Sequence, residues 1–313
     1  MNPYVVTVTL NPALDKTVVI SRLDVGGLNR VQRLRIDPGG KGINVARVLN
    51  KFGIHVKATG FLAGAQGQVL LKYLDLENIS ADFLAIPGET RTNLKIVDDS
   101  SNVTTEINET GFAVTESDMN LFKAKLSTML EEASLLVISG SLPGKVEYNI
   151  YRDFIELANR KGIKTILDAD DKALAEGVQA LPFAIKPNIH ELEKLVGCTL
   201  SADQDIIHAA QQLLKRGIQL IIVSMGAQGA IVMDCQETYR VRVDSIIPKS
   251  TVGAGDSMVG ALAYSLLSKQ SLAETARWAV AAGTITALKA GTQVCSLTEV
   301  QQFLPQVSIE KIS

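Results

Sequence analysis

The second half of the chain alternates short, continuously apolar segments with longer segments of helical periodicity. The apolar segments are LLVISG, IKTILD and LIIVS, and helical patterns such as EYNIYRDFIELANRKG and IIHAAQQLLKRG lie between them. Strands that are apolar on both faces need cover on both faces, and helices provide that cover in a parallel sheet. The pattern therefore predicts an α/β fold with a mainly parallel central sheet.

Two stretches do not fit this alternation. Residues 15–37 and 91–110 contain short β-branched runs, alternating polar and apolar side chains, and a hairpin pattern around the polar turn DDSSN. Such alternation suits a sheet with one covered and one wet face. We expect these stretches to form a small β-sheet lid on a large α/β domain made of residues 1–14, 38–90 and 111–313.

The composition excludes several classes of function. The chain has 313 residues, of which 46% are apolar and 20% are charged, as in a globular protein with a substantial core. The formal net charge of -2 gives no reason to expect nucleic acid or an anionic membrane as a partner. The three cysteines and three histidines are scattered, so neither disulfides nor a zinc site is expected.

The sequence also gives no signal for secretion or membrane insertion. The N-terminal segment MNPYVVTVTLNPALD has no basic leader, and its apolar run is short. No window of about 18 residues is continuously apolar. We therefore expect a cytoplasmic protein.

The strongest candidate for a site is the segment STVGAGDSMVGA, residues 250–261, which leads into a helical run. Small residues before a helix let backbone N–H groups approach an anion, and the helix dipole favours negative charge there. Asp256 lies beside this phosphate site and has the chemistry of a general base for phosphoryl transfer. Asp is also a favoured helix cap, and the residues alone leave the two roles evenly balanced.

Other glycine-rich and polar segments are less specific. No GxxxxGK[ST] segment occurs, and in GGKGINVA the third glycine of a dinucleotide fingerprint is replaced by Val45. Lys41 in this segment is either a ligand for a phosphate or sugar oxygen or a solvated loop lysine. Three other polar residues also have structural explanations that need no ligand. Arg91 is explained as a surface arginine, Asp15 as the end of a strand, and Glu191 as an acid in the first turn of a helix.

Taken together, these segments resemble the ribokinase-like sugar kinases of the phosphofructokinase B family. The resemblance covers nearly the whole chain and rests on seven segments in order: TLNPALD (9–15), GGKGINVARVL (39–49), TRTNLKI (90–96), VISGSLP (137–143), IKPNIHEL (185–192), VSMGAQGA (223–230) and STVGAGDSMVGA (250–261). The resemblance implies a three-layer α/β/α domain with a lid, and it favours the catalytic role of Asp256 over the cap.

The resemblance also implies a role for each group of matching residues. The base and the anion hole for the transferring phosphoryl group are Asp256, Gly253, Ala254 and Gly255. The positions that bind the phosphosugar are Asp15, Gly40, Lys41, Asn44, Arg91 and Ser139. The positions that bind ATP are Lys186, Asn188, Ser224, Gly226, Gly229, Val280 and Thr284. The family's N-x-x-E, which helps to position Mg²⁺ and the phosphates, is formed by Asn188 and Glu191.

The segments also rank the substrates. GGKG, TRTNLKI and TEINETG look most like bacterial 1-phosphofructokinases, so fructose 1-phosphate comes first. Tagatose-6-phosphate kinases share GGKG and SGSLP, which places tagatose 6-phosphate second. Fructose-6-phosphate kinases share STVGAGDSMVG but tend to lack a lysine at position 41, so fructose 6-phosphate comes third.

The resemblance also bears on ions and partners. Some members bind potassium near residues 250–252 and 286–293, and Lys289 and Gln293 depart from the family there, which counts against potassium. Members commonly dimerise through the lid, so a homodimer is expected. Two other classes of protein are alternatives to a kinase. The intact segment 253–256 argues against a non-catalytic sugar-phosphate sensor, and the incomplete fingerprint argues against a nicotinamide oxidoreductase.

Overall fold

The structure is a computed structural model, and it describes residues 4–101, 103–244 and 246–312. Its strands are β1 (Tyr4–Thr9), β2 (Ala13–Ile20), β3 (Arg33–Gly39), β4 (Val56–Ala63), β5 (Ser80–Ala81), β6 (Leu84–Ile86), β7 (Arg91–Asp98), β8 (Val103–Asn108), β9 (Ala133–Ser139), β10 (Thr165–Asp168), β11 (Ala184–Ile185), β12 (Leu220–Ser224), β13 (Ala230–Met233), β14 (Thr238–Val243) and β15 (Val307–Lys311). Its helices are α1 (Lys41–Lys51), α2 (Gly64–Leu76), α3 (Glu116–Met129), α4 (Ile150–Arg160), α5 (Asp171–Val178), α6 (Ile189–Val196), α7 (Asp203–Lys215), α8 (Ala254–Leu267), α9 (Leu272–Ala287) and α10 (Leu297–Phe303).

The central sheet is mainly parallel, as predicted. Its strands follow the order β15-β14-β13-β12-β11-β10-β9-β1-β4-β5, and β6 also pairs with β4. All pairs from β12 to β5 are parallel, whereas β13, β14 and β15 form an antiparallel edge. The sequence pattern did not predict this edge.

Two apolar clusters cover the two faces of the sheet. Val6 and Val8 of β1 pack in one cluster with α3, α4 and α7, while Val5 packs in the other with α1, α8 and α9. Successive side chains of a strand point to opposite faces, so β1 contributes to both clusters. This burial explains why the central strands read as continuous apolar runs.

The lid is a separate sheet of four strands in the order β3-β2-β7-β8. β2 pairs with β7 in parallel, and the β2–β3 and β7–β8 pairs are antiparallel. The pairing of Ala13 with Gly39 extends the sheet two residues beyond the predicted 15–37 segment at each end. In the part of the chain described here, none of the helices combines the length and hydrophobicity that a membrane span requires.

Candidate active site

A cleft of about 500 Å³ lies between the lid and the edge of the central sheet where the parallel strands end. Its walls include Asn11 after β1, Gly140 after β9, Asp168 at the end of β10 and Ser224 at the end of β12. Ligands of open α/β sheets bind outside the carboxyl ends of the strands. The sheet and the lid therefore enclose a site where this architecture is expected to bind a ligand.

Asp256 lines this cleft and is not a helix cap. The N-cap of α8 is Gly253, with φ 77°, and Asp256 is the third residue of the helix. Its carboxylate Oδ2 accepts a hydrogen bond of 2.8 Å from Asn44 Nδ2 of α1. The side chain is therefore held across the cleft by another helix, which favours a functional role.

The surroundings of Asp256 make it a stronger base than an ordinary aspartate. Its pKa is raised to about 6, chiefly by burial and also by the nearby Asp168 carboxylate, while the hydrogen bond from Asn44 opposes both effects. A general base works best when its pKa lies near the working pH. At neutral pH this carboxylate is ionised and still basic enough to accept a proton from a hydroxyl group.

The first turn of α8 faces a buried lysine. A Cβ atom added to Gly255 would lie only 3.4 Å from Lys186 Nζ, so the ammonium group is close to the start of this helix. Lys186 is only 5% exposed, and its Nζ lies 3.3 Å from Asp168 Oδ1. The backbone amides of Gly253, Ala254 and Gly255 together with this cation provide the chemistry of an anion site.

The lid supplies charged side chains to the opposite end of the cleft. Asp15 of β2 is buried and accepts hydrogen bonds from Asn93 Nδ2 (3.0 Å) and Lys95 Nζ (3.4 Å) of β7. Arg91, at the start of β7, donates from its Nη2 to the Asn11 carbonyl oxygen at 3.1 Å. All of these residues line the cleft, so the predicted phosphosugar residues on the lid do come together.

The loop before α1 completes this end of the cleft. Gly40 has φ 117°, and an added Cβ atom would lie 2.8 Å from Thr9 Cγ2, so a side chain at this position would be strained. Lys41 follows as the first residue of α1, and Asn44 lies one turn later. The glycine thus lets the chain turn sharply enough to present Lys41 and Asn44 to the cleft.

A second pocket, of about 340 Å³, adjoins the cleft at Gly255 and Ser224. It is lined by five residues predicted to bind the nucleotide, namely Ser224, Gly226, Gly229, Val280 and Thr284. Gly229 has φ 86°, and an added Cβ atom would lie 2.1 Å from the Val241 carbonyl oxygen. This glycine permits the close backbone approach that forms one wall of the pocket.

Comparison with known proteins identifies the family. Residues 8–299 match the family described as pfkB family carbohydrate kinase. The chain belongs to the pfkB family. It is therefore a carbohydrate kinase, an enzyme that transfers a phosphoryl group to an alcohol acceptor, as the sequence analysis predicted.

Individual relatives of this pfkB kinase match over nearly their full length. A 1-phosphofructokinase of Borreliella burgdorferi is 36% identical over 309 residues, with 98% of each chain covered. A tagatose-6-phosphate kinase of Staphylococcus epidermidis is 33% identical over 311 residues, with 98% of this chain and 100% of the relative covered. The crystal structure of phosphofructokinase-2 from Escherichia coli in complex with potassium has a TM-score of 0.91 at 33% identity and covers 97% and 99% of the two chains. The ribokinase-like fold is thereby confirmed.

Asn188 and Glu191 of the pfkB kinase form the capping box of α6. Glu191 N donates to Asn188 Oδ1 at 2.9 Å, and Asn188 N donates to Glu191 Oε2 at 2.8 Å. Among residues 4–101, 103–244 and 246–312, no group of three or more His, Cys, Asp or Glu side chains is arranged to hold a metal ion. Mg²⁺ in kinases uses one or two carboxylates plus phosphates and water, and the Asn188–Glu191 pair in the cleft fits such a site.

Asp168 is a functional candidate that the sequence analysis missed. It is 2% exposed, and its Oδ1 lies 3.3 Å from Lys186 Nζ and 3.8 Å from Lys41 Nζ. Burial raises the pKa of Asp168, but the two lysines outweigh burial and lower it below its ordinary value. The carboxylate therefore holds one cation from each end of the cleft. Its position at the end of the strand IKTILD was a signal that could have found it.

Asp170 is a second residue that sequence reasoning missed. Its Oδ1 accepts a hydrogen bond of 2.6 Å from Lys41 Nζ. Burial lowers the pKa of Lys41, but Asp168 and Asp170 outweigh burial and raise it above its ordinary value. Lys41 is therefore firmly protonated, as a residue that binds phosphate must be.

The prediction for Ser139 needs a correction. Ser139 is 0% exposed, and its Oγ donates to Asp168 Oδ2 at 3.3 Å, so the residue does not line the cleft in this structure. Ser141, two residues later in the SGSLP segment, lines the cleft and accepts a hydrogen bond from Arg91. Ser139 ends β9 in register with Asp168, and this pairing keeps its hydroxyl group inside the sheet edge.

Proposed function

We propose that this pfkB kinase transfers the γ-phosphoryl group of ATP to the 6-hydroxyl of fructose 1-phosphate, which yields fructose 1,6-bisphosphate and ADP. The observation that carries the proposal is the position of Asp256. Its carboxylate lies in the cleft between the charged residues of the lid end and the glycine-rich start of α8. Relatives named 1-phosphofructokinase support the choice of substrate.

Asp256 acts as the general base. It takes the proton of the sugar hydroxyl as the sugar oxygen forms its bond to the γ-phosphorus and the bond from phosphorus to the ADP oxygen breaks. The amides of Gly253, Ala254 and Gly255 stabilise the charge on the transferring group, and Lys186 adds a full positive charge beside them.

The lid end of the cleft binds the phosphosugar. Lys41 and Arg91 neutralise the phosphate that the substrate already carries, because ammonium and guanidinium groups pair well with phosphate oxygens. Asp15 accepts from a sugar hydroxyl, and its bonds to Asn93 and Lys95 hold it in place. Asn44 orients the base, and Gly40 keeps the backbone close to the sugar. Ser139 contributes only through Asp168.

ATP occupies the second pocket and the adjoining part of the cleft. Val280 and Thr284 pack against the adenine, and Ser224, Gly226 and Gly229 form the turn around the ribose and phosphates. Lys186, Asn188 and Glu191 lie farther in, where they line the cleft. Mg²⁺ bound with ATP would neutralise phosphate charge, held by the Asn188–Glu191 pair through water.

The outer face of the lid forms a homodimer contact. Strand register puts Leu34, Val18, Ile96 and Thr105 in one row across the four strands, and Val103 and Ile107 flank Thr105 on the same face. Leu34 is 59% exposed, Val103 is 56% exposed and Ile107 is 53% exposed. A contiguous exposed apolar face of this kind is typical of a protein interface. A potassium requirement is not part of the proposal, because Lys289 and Gln293 depart from the pattern of members that bind this ion.

An assay of ADP release with three phosphosugars tests the substrate. We expect the highest kcat/KM with fructose 1-phosphate. A preference for tagatose 6-phosphate would move the assignment to the function named for the Staphylococcus epidermidis relative. Binding of phosphosugars without any ADP release would support the sensor alternative and overturn the proposal.

A further inference from the structure

The helix cap of α5 has an unusual partner. Asp170 occupies the N-cap position of this helix, where an aspartate side chain normally accepts hydrogen bonds from the first-turn amides. Within the described structure its carboxylate makes no such capping bond, and it reaches instead to Lys41 Nζ at 2.6 Å. The side chains of Lys41 and Asp170 are 32% and 40% exposed, so a ligand can reach the pair from the cleft.

The Asp170 carboxylate thus has two competing partners. One is Lys41, and the other is the set of backbone N–H groups that open its own helix, which are the usual partners of an aspartate at an N-cap. Lys41 also has two partners, because its Nζ lies 3.8 Å from Asp168 Oδ1 as well as close to Asp170. A dianionic ligand at Lys41 can therefore release Asp170 without leaving either group unpaired.

We propose that Asp170 is a displaceable counter-ion of Lys41 that the phosphate of the substrate must replace. This inference rests on the proposed function, because it takes the ligand of Lys41 to be the phosphate of a phosphosugar. When the phosphate binds, Asp170 moves from Lys41 to the N-cap of α5. When the bisphosphate product leaves, Asp170 returns to Lys41 and competes with rebinding of the product phosphate.

The counter-ion also makes the site selective for charge. An unphosphorylated ketose gains little from Lys41, because the hydroxyl groups of a sugar cannot displace a carboxylate from an ammonium group. A phosphate dianion can, since it offers more charge and more acceptor atoms. Asp170 therefore acts through Lys41 as a specificity-determining residue, at a cost in affinity for the correct substrate.

The variant Asp170→Asn tests this proposal. Asparagine is as good an N-cap as aspartate, so the substitution removes the charge and keeps the ability to cap the helix. We expect the Kd of fructose 1-phosphate, measured by titration calorimetry, to fall about two- to fivefold, which corresponds to about 0.5 to 1 kcal/mol for a partly exposed ion pair. The KM for ATP is expected to stay within about twofold, and the gain in affinity should shrink at high salt.

Asp171→Asn is the matched control. It removes the same charge one residue away, and Asp171 pairs with Lys194 of α6 at 2.6 Å instead of with Lys41. Asp171 has φ 45°, a conformation that asparagine tolerates. The control is expected to leave the Kd of fructose 1-phosphate unchanged.

Two outcomes would overturn the proposal. The first is a Kd that is unchanged or higher in Asp170→Asn, which would mean that Asp170 does not compete with the phosphate for Lys41. The second is an equal fall in Kd in Asp171→Asn, which would mean that the loss of any negative charge near the cleft strengthens binding. The assignment of the reaction fails separately, if the wild-type enzyme releases no ADP with any phosphosugar. The binding measurement on Asp170→Asn does not depend on that turnover.

Discussion

The two ends of the active site differ in how they are built. The lid end is made of paired charges, such as Asp15 with Lys95 and Lys41 with Asp170. The second pocket is walled mainly by small and apolar side chains, such as Gly226, Ala254 and Val280. Charge pairing at one end and shape at the other indicate that the enzyme recognises its two substrates by different physical means.

The start of α8 joins these two ends. Asp256 lies in the charged cleft, Ala254 lies in the apolar pocket, and Gly255 lines both. Substitutions at one end are therefore expected to change the binding of one substrate, and substitutions at the junction to change the chemical step. The following predictions test this division, beginning with the largest effect.

Asp256→Asn is expected to slow the chemical step strongly and to leave the binding of both substrates intact. The variant keeps the size of the side chain and an oxygen for the hydrogen bond from Asn44, but it loses the base. General-base catalysis contributes about 10²- to 10⁴-fold, so kcat should fall by that factor. The Kd values of ATP and fructose 1-phosphate should stay within about twofold. Near-normal turnover would contradict the assigned mechanism.

The stability of the same variant provides its folding control. Because folding raises the pKa of Asp256 from 3.8 to about 6, the folded protein holds this proton more tightly than the unfolded chain does. The free energy of unfolding therefore falls as pH rises from about 4 to 6, and at neutral pH the ionised carboxylate is destabilising. We expect Asp256→Asn to melt at a higher temperature than the wild type at pH 7.

Arg91→Ala is expected to weaken binding only at the lid end of the cleft, where the phosphosugar binds. The loss of one charge-assisted contact to phosphate, about 1.5 to 3 kcal/mol, should raise the KM for the phosphosugar about 10- to 100-fold. The KM for ATP should change less than about twofold. Arg33→Ala is the matched control, since Arg33 is an exposed arginine on lid strand β3. An effect of Arg91→Ala mainly on ATP would break the division between the two ends.

Val280→Phe is expected to weaken binding only in the second pocket, where ATP binds. Val280 lines this pocket of about 340 Å³, and a phenyl ring there would take up space that the adenine needs. The KM for ATP should rise about fivefold or more, because the phenyl ring displaces the adenine and the adenine loses its contacts with the pocket. The KM for the phosphosugar should not change. Val69→Phe on α2, where valine is 41% exposed, controls for the substitution itself. A larger effect on the phosphosugar than on ATP would show that the nucleotide binds elsewhere.

The sequence predicted those parts of the site that depend on local pattern. The helix start at Asp256 and the glycine loop at Lys41 lie within single segments, and the turn at Gly226 to Gly229 does as well. Asp168 and Asp170 escaped notice because their importance comes from contacts with residues more than 120 positions away, such as Lys41. Such contacts depend on how the strands are ordered, which local periodicity does not specify.

Two further differences have the same origin. The outermost strand of the antiparallel edge, β15, depends on the return of the C-terminal strand to the sheet, a pairing between residues near 240 and 310. Ser139 was assigned to the cleft from its place in a matching segment, but its pairing with Asp168 buries the hydroxyl group. Shifts of one or two residues at a strand end decide which side chain faces a ligand.

Asp168→Asn is expected to have the smallest but most diagnostic effect, on the pH dependence of kcat/KM. In the wild type, activity should fall as pH drops through about 6, because Asp256 must be ionised to accept a proton. The Asp168 carboxylate raises the pKa of Asp256, so its removal should move the acidic limb down by a fraction of a pH unit. The substitution also takes the carboxylate partner from Lys186 and leaves Lys41 paired with Asp170. A melting curve checks that the variant is folded, and Asp171→Asn should leave the limb in place. A limb that stays in place or moves up in Asp168→Asn would mean that the two ends of the cleft are not coupled to the base through this carboxylate.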